Sequence, residues 1–433
     1  MLGRYSLTDP STPGLKCRRG HTFPLGPELR GCPSCQAEGE PTALEVWYGP
    51  AATKAAWMTL ASAANTCGLS LYETAGALPA GAAAITLGEG GTPLLRSELG
   101  QIAGIERTWL KLEGFGPTGS YKDRLNAVAV SMALRFGARG VVCSSTGNQG
   151  VSMAAYAAAA GLPAVVLLPE EAPVAAARQA SIHGATVVIT PWDIRPKVID
   201  ALLREEGWSL SNRNDPRPWA NPFGLEGYRS IAYEIVRELG HAPATIVMPT
   251  CGGDGLYGIW KGFRELHAAG VISEAPAMVA VQPSLSNSLV RAVANNAEHV
   301  GEVPLRHSIA LSLTDRKTSD LGLRAVRESN GTAVEVTEDQ IRDAVGRLAR
   351  SGIYAEPASA AAVAALPQIS DRAAGDVVCI ITASGTRWPV SGIPDGYARL
   401  GTFEEVMDLV RGVGVSLPTL PVSGRSYRRV EER

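Results

Sequence analysis

Between residues 107 and 381, short apolar runs alternate with segments of helical character, and this alternation restricts the fold more than any other feature of the chain. The runs are Thr108–Leu112, Gly140–Ser144, Ala164–Leu168, Thr186–Thr190, Thr245–Met248 and Val377–Ile381. Most are too continuously apolar for a half-exposed strand, so they predict strands buried on both faces, as in parallel sheets covered by helices. The segments between them read as helices over 123–136, 149–160 (closed by Gly161), 174–183 (closed by Gly184), 228–239, 256–267 and 358–366. Thr337 with Gln340 predicts a capping box for a further helix ending near Ser351. Strand–helix–strand units cluster on either side of residues 210–226. The predicted fold class is therefore α/β, with two open parallel α/β domains facing a cleft.

The expected boundaries are an N-terminal segment 1–50 rich in Gly, Pro and Cys, and a helical linker 51–80 with helix over about 51–75. A large domain follows from 81–117 and 227–400, with a smaller one from 118–226. An amphipathic helix at about 402–411 and a charged tail close the chain, within 401–433. A net charge of −2 without a basic block argues against a nucleic-acid partner. No apolar run reaches the ~20 residues of a membrane span, and no charged-then-apolar leader is read at the start. The seven cysteines are odd in number, and Cys143 and Cys379 lie in strand-like runs. A disulfide framework is not expected, and a reducing cytoplasm is.

Three loops lie where strands end and helices begin, the places at which open α/β sheets hold ligands. Pro117-Thr-Gly-Ser-Tyr-Lys-Asp-Arg124 sets Lys122 at a helix mouth, where the positive end of the helix dipole is expected to favour the neutral amine. Ser144-Ser-Thr-Gly-Asn-Gln-Gly150 offers hydroxyls and backbone amides suited to a carboxylate. Thr250-Cys-Gly-Gly-Asp-Gly255 can curl into a nest of N–H groups suited to a phosphate, although it is neither a P-loop nor a dinucleotide fingerprint. A lysine, a carboxylate turn and a phosphate nest together describe a pyridoxal phosphate site.

Over residues 85–390 the chain resembles the threonine synthase branch of the fold type II (tryptophan synthase β-like) pyridoxal phosphate enzymes. The resemblance rests on Gly88-Glu-Gly-Gly-Thr-Pro93, Lys111-Leu-Glu113, the Lys122 loop, Ser145-Thr-Gly-Asn148, Glu226-Gly-Tyr-Arg229, the 251–255 loop, Glu356-Pro-Ala-Ser359 and Ile381-Thr-Ala-Ser-Gly385, in family order. It implies that Lys122 holds the cofactor as a Schiff base and removes the substrate's Cα proton. Asn148 would meet the ring hydroxyl and Thr382 the ring nitrogen. Cys251, Gly252, Gly253, Asp254 and Gly255 would receive the phosphate, and Ser145, Thr146 and Gln149 the substrate carboxylate. A hydroxyl at the ring nitrogen suits elimination and replacement better than transamination. The implied enzyme is a lyase or synthase acting at Cβ or Cγ of an amino acid, and a homodimer.

Two loops depart from the family pattern. Threonine synthases typically carry Gly-Asn-Ala-Gly-Asn where this chain has Cys251-Gly-Gly-Asp-Gly255, which sets Asp254 beside the expected phosphate. After Thr382 they typically read Gly-(Asn/His)-Gly-Leu-Lys-Asp-Pro, against Ala383-Ser-Gly-Thr-Arg-Trp-Pro389 here. The leading expectation is thus a divergent eliminating or replacing relative. Threonine synthase proper, turning O-phosphohomoserine and water into threonine and phosphate, is the alternative. A non-catalytic interaction protein is the second. Arg124 and Arg387 are candidates for an anionic leaving group. At the N-terminus, Cys17, His21, Cys32 and Cys35 resemble a zinc ribbon, with three thiols and an imidazole for a structural zinc.

Overall fold

The computed structural model describes residues 13–27, 29–63, 68–205, 207–210, 212, 220–372 and 374–387. The expected helix at 402–411, the tail, Cys67 and the Arg387 side chain lie outside the described residues. In chain order the strands are β1 (Gly14–Cys17), β2 (Thr22–Pro24), β3 (Leu44–Trp47), β4 (Leu94–Ser97), β5 (Thr108–Leu112), β6 (Val141–Ser144), β7 (Ala164–Leu168), β8 (Thr186–Ile189), β9 (Ser209–Leu210), β10 (Thr245–Pro249), β11 (Ala277–Pro283), β12 (Thr332–Val336) and β13 (Val377–Ile381).

They form three sheets. The large one runs β12-β11-β10-β13-β5-β4 and is parallel except for β4, which pairs antiparallel with β5. The smaller one, β8-β7-β6-β9, is parallel throughout. The chain leaves the large sheet after β5, builds the small one, and returns at β10. A third, antiparallel sheet β2-β1-β3 belongs to the N-terminal segment. Every residue of β10 and of β13 is buried, as their continuous apolar composition requires.

The helices sit close to their sequence positions: Lys122–Arg135, Asn148–Ala160, Val174–Ile182, Gly224–Leu239, Asp254–Ala268 and Pro357–Ala364. The capping box forms as read, Thr337 accepting from Gln340 N at 3.3 Å and Gln340 Oε1 accepting from Thr337 N at 2.8 Å. The helical stretch expected over 51–75 is instead two helices, Pro50–Ser62 and Ser70–Thr74. Gly68, with φ 87°, stands just ahead of the second, in a conformation open to glycine and closed to most residues. In the large sheet, strands β4, β11 and β12 have no counterpart in the sequence reading. β11 is a continuous apolar run that merited one, whereas β12 lies at a sheet edge and is only half buried over most of its length.

One close approach locks the layers together. A Cβ on Gly227 would fall 1.9 Å from the Arg124 carbonyl oxygen, so the helices Lys122–Arg135 and Gly224–Leu239 meet backbone to backbone only because this residue is glycine. Among the described residues, no helix is long and apolar enough to cross a membrane.

Candidate active site

A cavity of ≈ 280 Å³ opens at the carboxyl ends of β6, β10 and β13 and takes walls from both parallel sheets. Tyr121, Lys122, Ser145, Thr146, Asn148, Gln149, Cys251, Gly252, Asp254 and Thr382 all line it. The three loops read from sequence therefore converge on one space. Gly253 and Gly255 lie in the same turn without lining the cavity.

Lys122 is the first residue of its helix, and its loop is pinned from behind. Asp123 accepts from Thr118 N at 2.8 Å and from Ser152 Oγ at 2.7 Å, and Tyr121 N donates to the Thr382 carbonyl at 2.8 Å. Lys122 Nζ donates to Tyr228 Oη at 2.8 Å and lies 3.9 Å from Asp254 Oδ2. The Tyr121 and Tyr228 rings stack with centroids 4.8 Å apart beneath the ammonium. Burial by itself would lower the Lys122 pKa, but the Asp254 carboxylate and the Tyr121 hydroxyl outweigh it and hold the ammonium above the ordinary lysine value. This reverses the direction expected from the helix dipole. A helix terminus contributes about 0.3–1 kcal/mol, whereas a carboxylate ~4 Å away contributes about 4 kcal/mol at an effective dielectric of ~20.

The turn after β10 opens a helix, a geometry suited to an anion. Gly253 adopts φ 85° and leads into the 15-residue helix Asp254–Ala268, whose first-turn amides have no intrahelical acceptors. Ser319 braces the turn from outside, donating through N (3.0 Å) and Oγ (2.7 Å) to the Gly252 carbonyl. Thr318 Oγ1 donates to the Cys251 carbonyl at 2.8 Å. These contacts engage the Cys251 and Gly252 carbonyls.

In the second loop, Ser145 Oγ accepts from Gly147 N and Gly150 N, both at 2.9 Å, so its hydroxyl shapes the turn as well as lining the cavity. Gln149 Nε2 donates to Asn126 Oδ1 at 3.0 Å. Asn148 Nδ2 donates to both oxygens of Glu356, at 3.1 and 2.9 Å. Across the cavity, Thr382 Oγ1 lies 2.8 Å from Ser359 Oγ. The sequence motif at 356–359 thus supplies two supports to which no role was assigned in sequence: Glu356 for Asn148 and Ser359 for Thr382.

Arg124 does not face the cavity, and its expected contact with a leaving group is overturned. It is buried, donating to Glu113 at 2.7 and 2.9 Å and to Glu234 at 2.7 Å through each of two nitrogens. Cations that sequence reasoning missed line the cavity instead: Arg195, stacked 3.8 Å over the Trp192 ring, and Arg316 with Lys317 on the loop before Thr318. No motif flagged them, since they come from segments distant in sequence from every recognised loop.

Residues 85–383 match the family described as "Pyridoxal-phosphate dependent enzyme". The chain belongs to that family. Among curated proteins, it is similar to a threonine synthase of Methanosarcina acetivorans, 37% identical over 72% of this chain and 79% of the relative. A threonine synthase of Methanocaldococcus jannaschii is 34% identical over 71% and 78%. Among solved structures, maize serine racemase superposes with a TM-score of 0.59 at 20% identity, covering 74% of this chain and 92% of that one. A fungal L-serine ammonia-lyase from Rhizomucor miehei gives 0.56 at 22%, covering 68% and 94%. These structures share the fold, that of the type II pyridoxal phosphate enzymes.

The cofactor of this pyridoxal phosphate enzyme fits the residues present: an amine in the cavity, a helix-opening turn suited to an anion beside it, and a hydroxyl and an amide on the walls. The Asp254 carboxylate lies towards Lys122 Nζ, which accounts for an acid in a turn otherwise suited to phosphate. Glu356 fixes which end of the Asn148 amide points to it. Glu356→Gln is expected to weaken cofactor retention by roughly tenfold or more, the scale of losing a hydrogen bond to a charged acceptor. Loss of visible absorbance on dialysis measures it.

Proposed function

We propose that this pyridoxal phosphate enzyme eliminates or replaces a β- or γ-substituent of an amino acid, as a divergent threonine synthase-like lyase. The observation that carries this reading is the placement of Lys122 Nζ in one cavity with the hydroxyl of Thr382 and the 144–150 turn. Lys122 would hold the cofactor, the amides of Gly252, Gly253 and Gly255 with those of Cys251 and Asp254 its phosphate, Asn148 its ring hydroxyl and Thr382 its ring nitrogen. The bound cofactor supplies an electron sink for the pair left when a Cα–H bond breaks.

The protein's own part is positional. Ser145, Thr146 and Gln149 orient the substrate carboxylate at a helix N-terminus. Lys122, once exchanged for the substrate amine, takes the Cα proton onto Nζ, and Tyr228 and Asp254 stand ready to receive the charged ammonium. Thr382 offers a hydroxyl where a carboxylate would enforce protonation of the ring, which favours departure of a side-chain substituent over transamination.

Threonine synthase proper is the second reading. It is favoured by the curated relatives bearing that name and by Arg195, Arg316 and Lys317 on the cavity wall, which suit a phosphate leaving group. Incubation with O-phosphohomoserine, threonine, serine, O-acetylserine and O-phosphoserine decides between them. Phosphate and threonine from O-phosphohomoserine alone select the synthase; keto acid or exchange products from the β-substituted substrates select the divergent lyase. No release from any of them overturns both.

We further infer a structural zinc in the N-terminal segment. The ligand atoms of Cys17, His21, Cys32 and Cys35 lie within 4.8 Å of one another. His21 Nδ1 is 3.5, 3.5 and 3.3 Å from the three sulfurs, and Cys17 Sγ is 3.8 Å from Cys35 Sγ. A tetrahedron with zinc–sulfur bonds of about 2.3 Å and a zinc–nitrogen bond of about 2.0 Å has edges of about 3.5–3.8 Å. The purified protein is expected to carry zinc in equimolar amount, and Cys35→Ser to lose it and unfold at a lower temperature. Metal analysis showing none in wild-type protein refolded with zinc sinks the inference.

A further inference from the structure

The position of Asp254 has a chemical meaning that the cofactor assignment does not need. Asp254 opens the helix Asp254–Ala268, where its backbone belongs to the turn suited to an anion, yet its carboxylate lies 3.9 Å from Lys122 Nζ. Both side chains are largely enclosed, at 17% and 8% exposure, so water screens the pair poorly. The groups that face Nζ come from three elements. Tyr121 precedes it on its own helix and puts its ring 4.5 Å away. Tyr228, from the helix Gly224–Leu239, accepts a hydrogen bond at 2.8 Å. Cys251 and Asp254 come from the turn after β10. The neighbouring cation, Arg124, is turned away into its own carboxylates. Among these groups Asp254 is the one carboxylic acid; the other three are two phenols and a thiol.

We propose that Asp254 is a positioning residue whose carboxylate keeps a proton on the Lys122 nitrogen while that nitrogen is bonded to the cofactor, and again on the ammonium formed once the freed, neutral amine has taken the Cα proton. This rests on the reading of Lys122 as the cofactor anchor. Its consequence is a proton that stays in the site. When Lys122 takes the Cα proton, the C–H electron pair remains with the substrate and the proton resides on Nζ beside Asp254. There it can be delivered to a leaving group or to a substrate carbon instead of being lost to solvent. Nothing is oxidised or reduced in this transfer. Tyr228 supplies direction through its hydrogen bond, and Asp254 supplies the charge.

The holoenzyme's visible band tests this, because its colour reports whether the Lys122 nitrogen carries a proton. In the wild-type protein the protonated form is expected to persist to high pH. Asp254→Asn should move the midpoint of the absorbance–pH titration down by about one to three units, the usual effect of removing an opposite charge at this distance. Asp254→Glu, which keeps the charge, should stay close to wild type, and Asp254→Ser carries the same test should the asparagine variant fail to fold. A merely structural role for Asp254 alters stability and leaves the midpoint in place. An unmoved midpoint in a neutral variant, with borohydride still fixing the cofactor at Lys122, overturns the role of Asp254 alone. If borohydride fixes no label at Lys122 in the wild-type protein, the reading of the anchor itself fails.

Discussion

Lys122→Ala is expected to give a folded protein that takes up no borohydride-stable pyridoxal label and turns over at least about 10²–10⁴-fold more slowly, the range for loss of a positioned proton-transfer group. Peptide mapping makes the experiment specific, because Lys317 also lines the cavity. Lys122 sits at the end of the loop after β5, beside the turn that opens the helix Asp254–Ala268, with its amine held between Tyr228 and Asp254. Lys317 lies on a different loop, next to Thr318, which donates to the Cys251 carbonyl. A label found on Lys317 in wild-type protein would move the cofactor to the other wall and undo the arrangement argued above.

Arg124→Ala carries the largest expected effect on stability, about 3–5 kcal/mol, because it strands buried carboxylates. Glu113 and Glu234 would each lose a charged partner at 2.7 Å, at sites that are 1% and 0% exposed. Lys111 stays against Glu234 at 2.8 Å, but one ammonium cannot reproduce the fork of a guanidinium across two acids. Arg124→Lys is therefore expected to recover little. A lowered midpoint of thermal unfolding measures both variants, and an Arg124→Ala protein as stable as wild type would show the network to be dispensable. The same network sets an acid limit. Burial alone would raise the Glu234 carboxyl, but Arg124 and Lys111 hold it well below the usual carboxylate range. Its contribution to stability is thus complete above the unfolded-state value of about 4.3 and is lost as pH falls below it towards the depressed native value.

Local sequence carried a large part of this architecture. The runs at 246–248 and 377–381 are apolar at every inward and outward position, and a segment with no polar face must be covered on both sides. Glycine placement was as legible: the helix Asn148–Ala160 ends at Gly161, φ 67°, and the turn after β10 bends at Gly253. Where pattern was weak, the reading was silent. β12 is half buried along most of its length and β4 has only four residues, so neither shows a periodicity distinguishable from a loop. At the site, Lys122, Asn148 and Thr382 were recognisable because each stands in a compact motif. Glu356 was visible as a motif without a role, and Tyr228, Arg195 and Arg316 were not visible as site residues at all.

The alternation of apolar runs and helices, together with three loops placed at strand ends, determined by itself the α/β fold, the cavity at the carboxyl ends of the strands and the lysine that opens into it. These follow from chain-local physics: burial of apolar faces, glycine conformations and the exposed amides of helix ends. Tertiary structure alone decided the charge on that lysine and the fate of Arg124. Two residues apart on one helix, they meet different partners, Asp254 and Tyr228 for one, Glu113 and Glu234 for the other. Electrostatic energies depend on distance and on exclusion of water. Both are set here by groups such as Tyr228 and Glu234, 106 and 110 residues away, which the order of residues along the chain does not disclose.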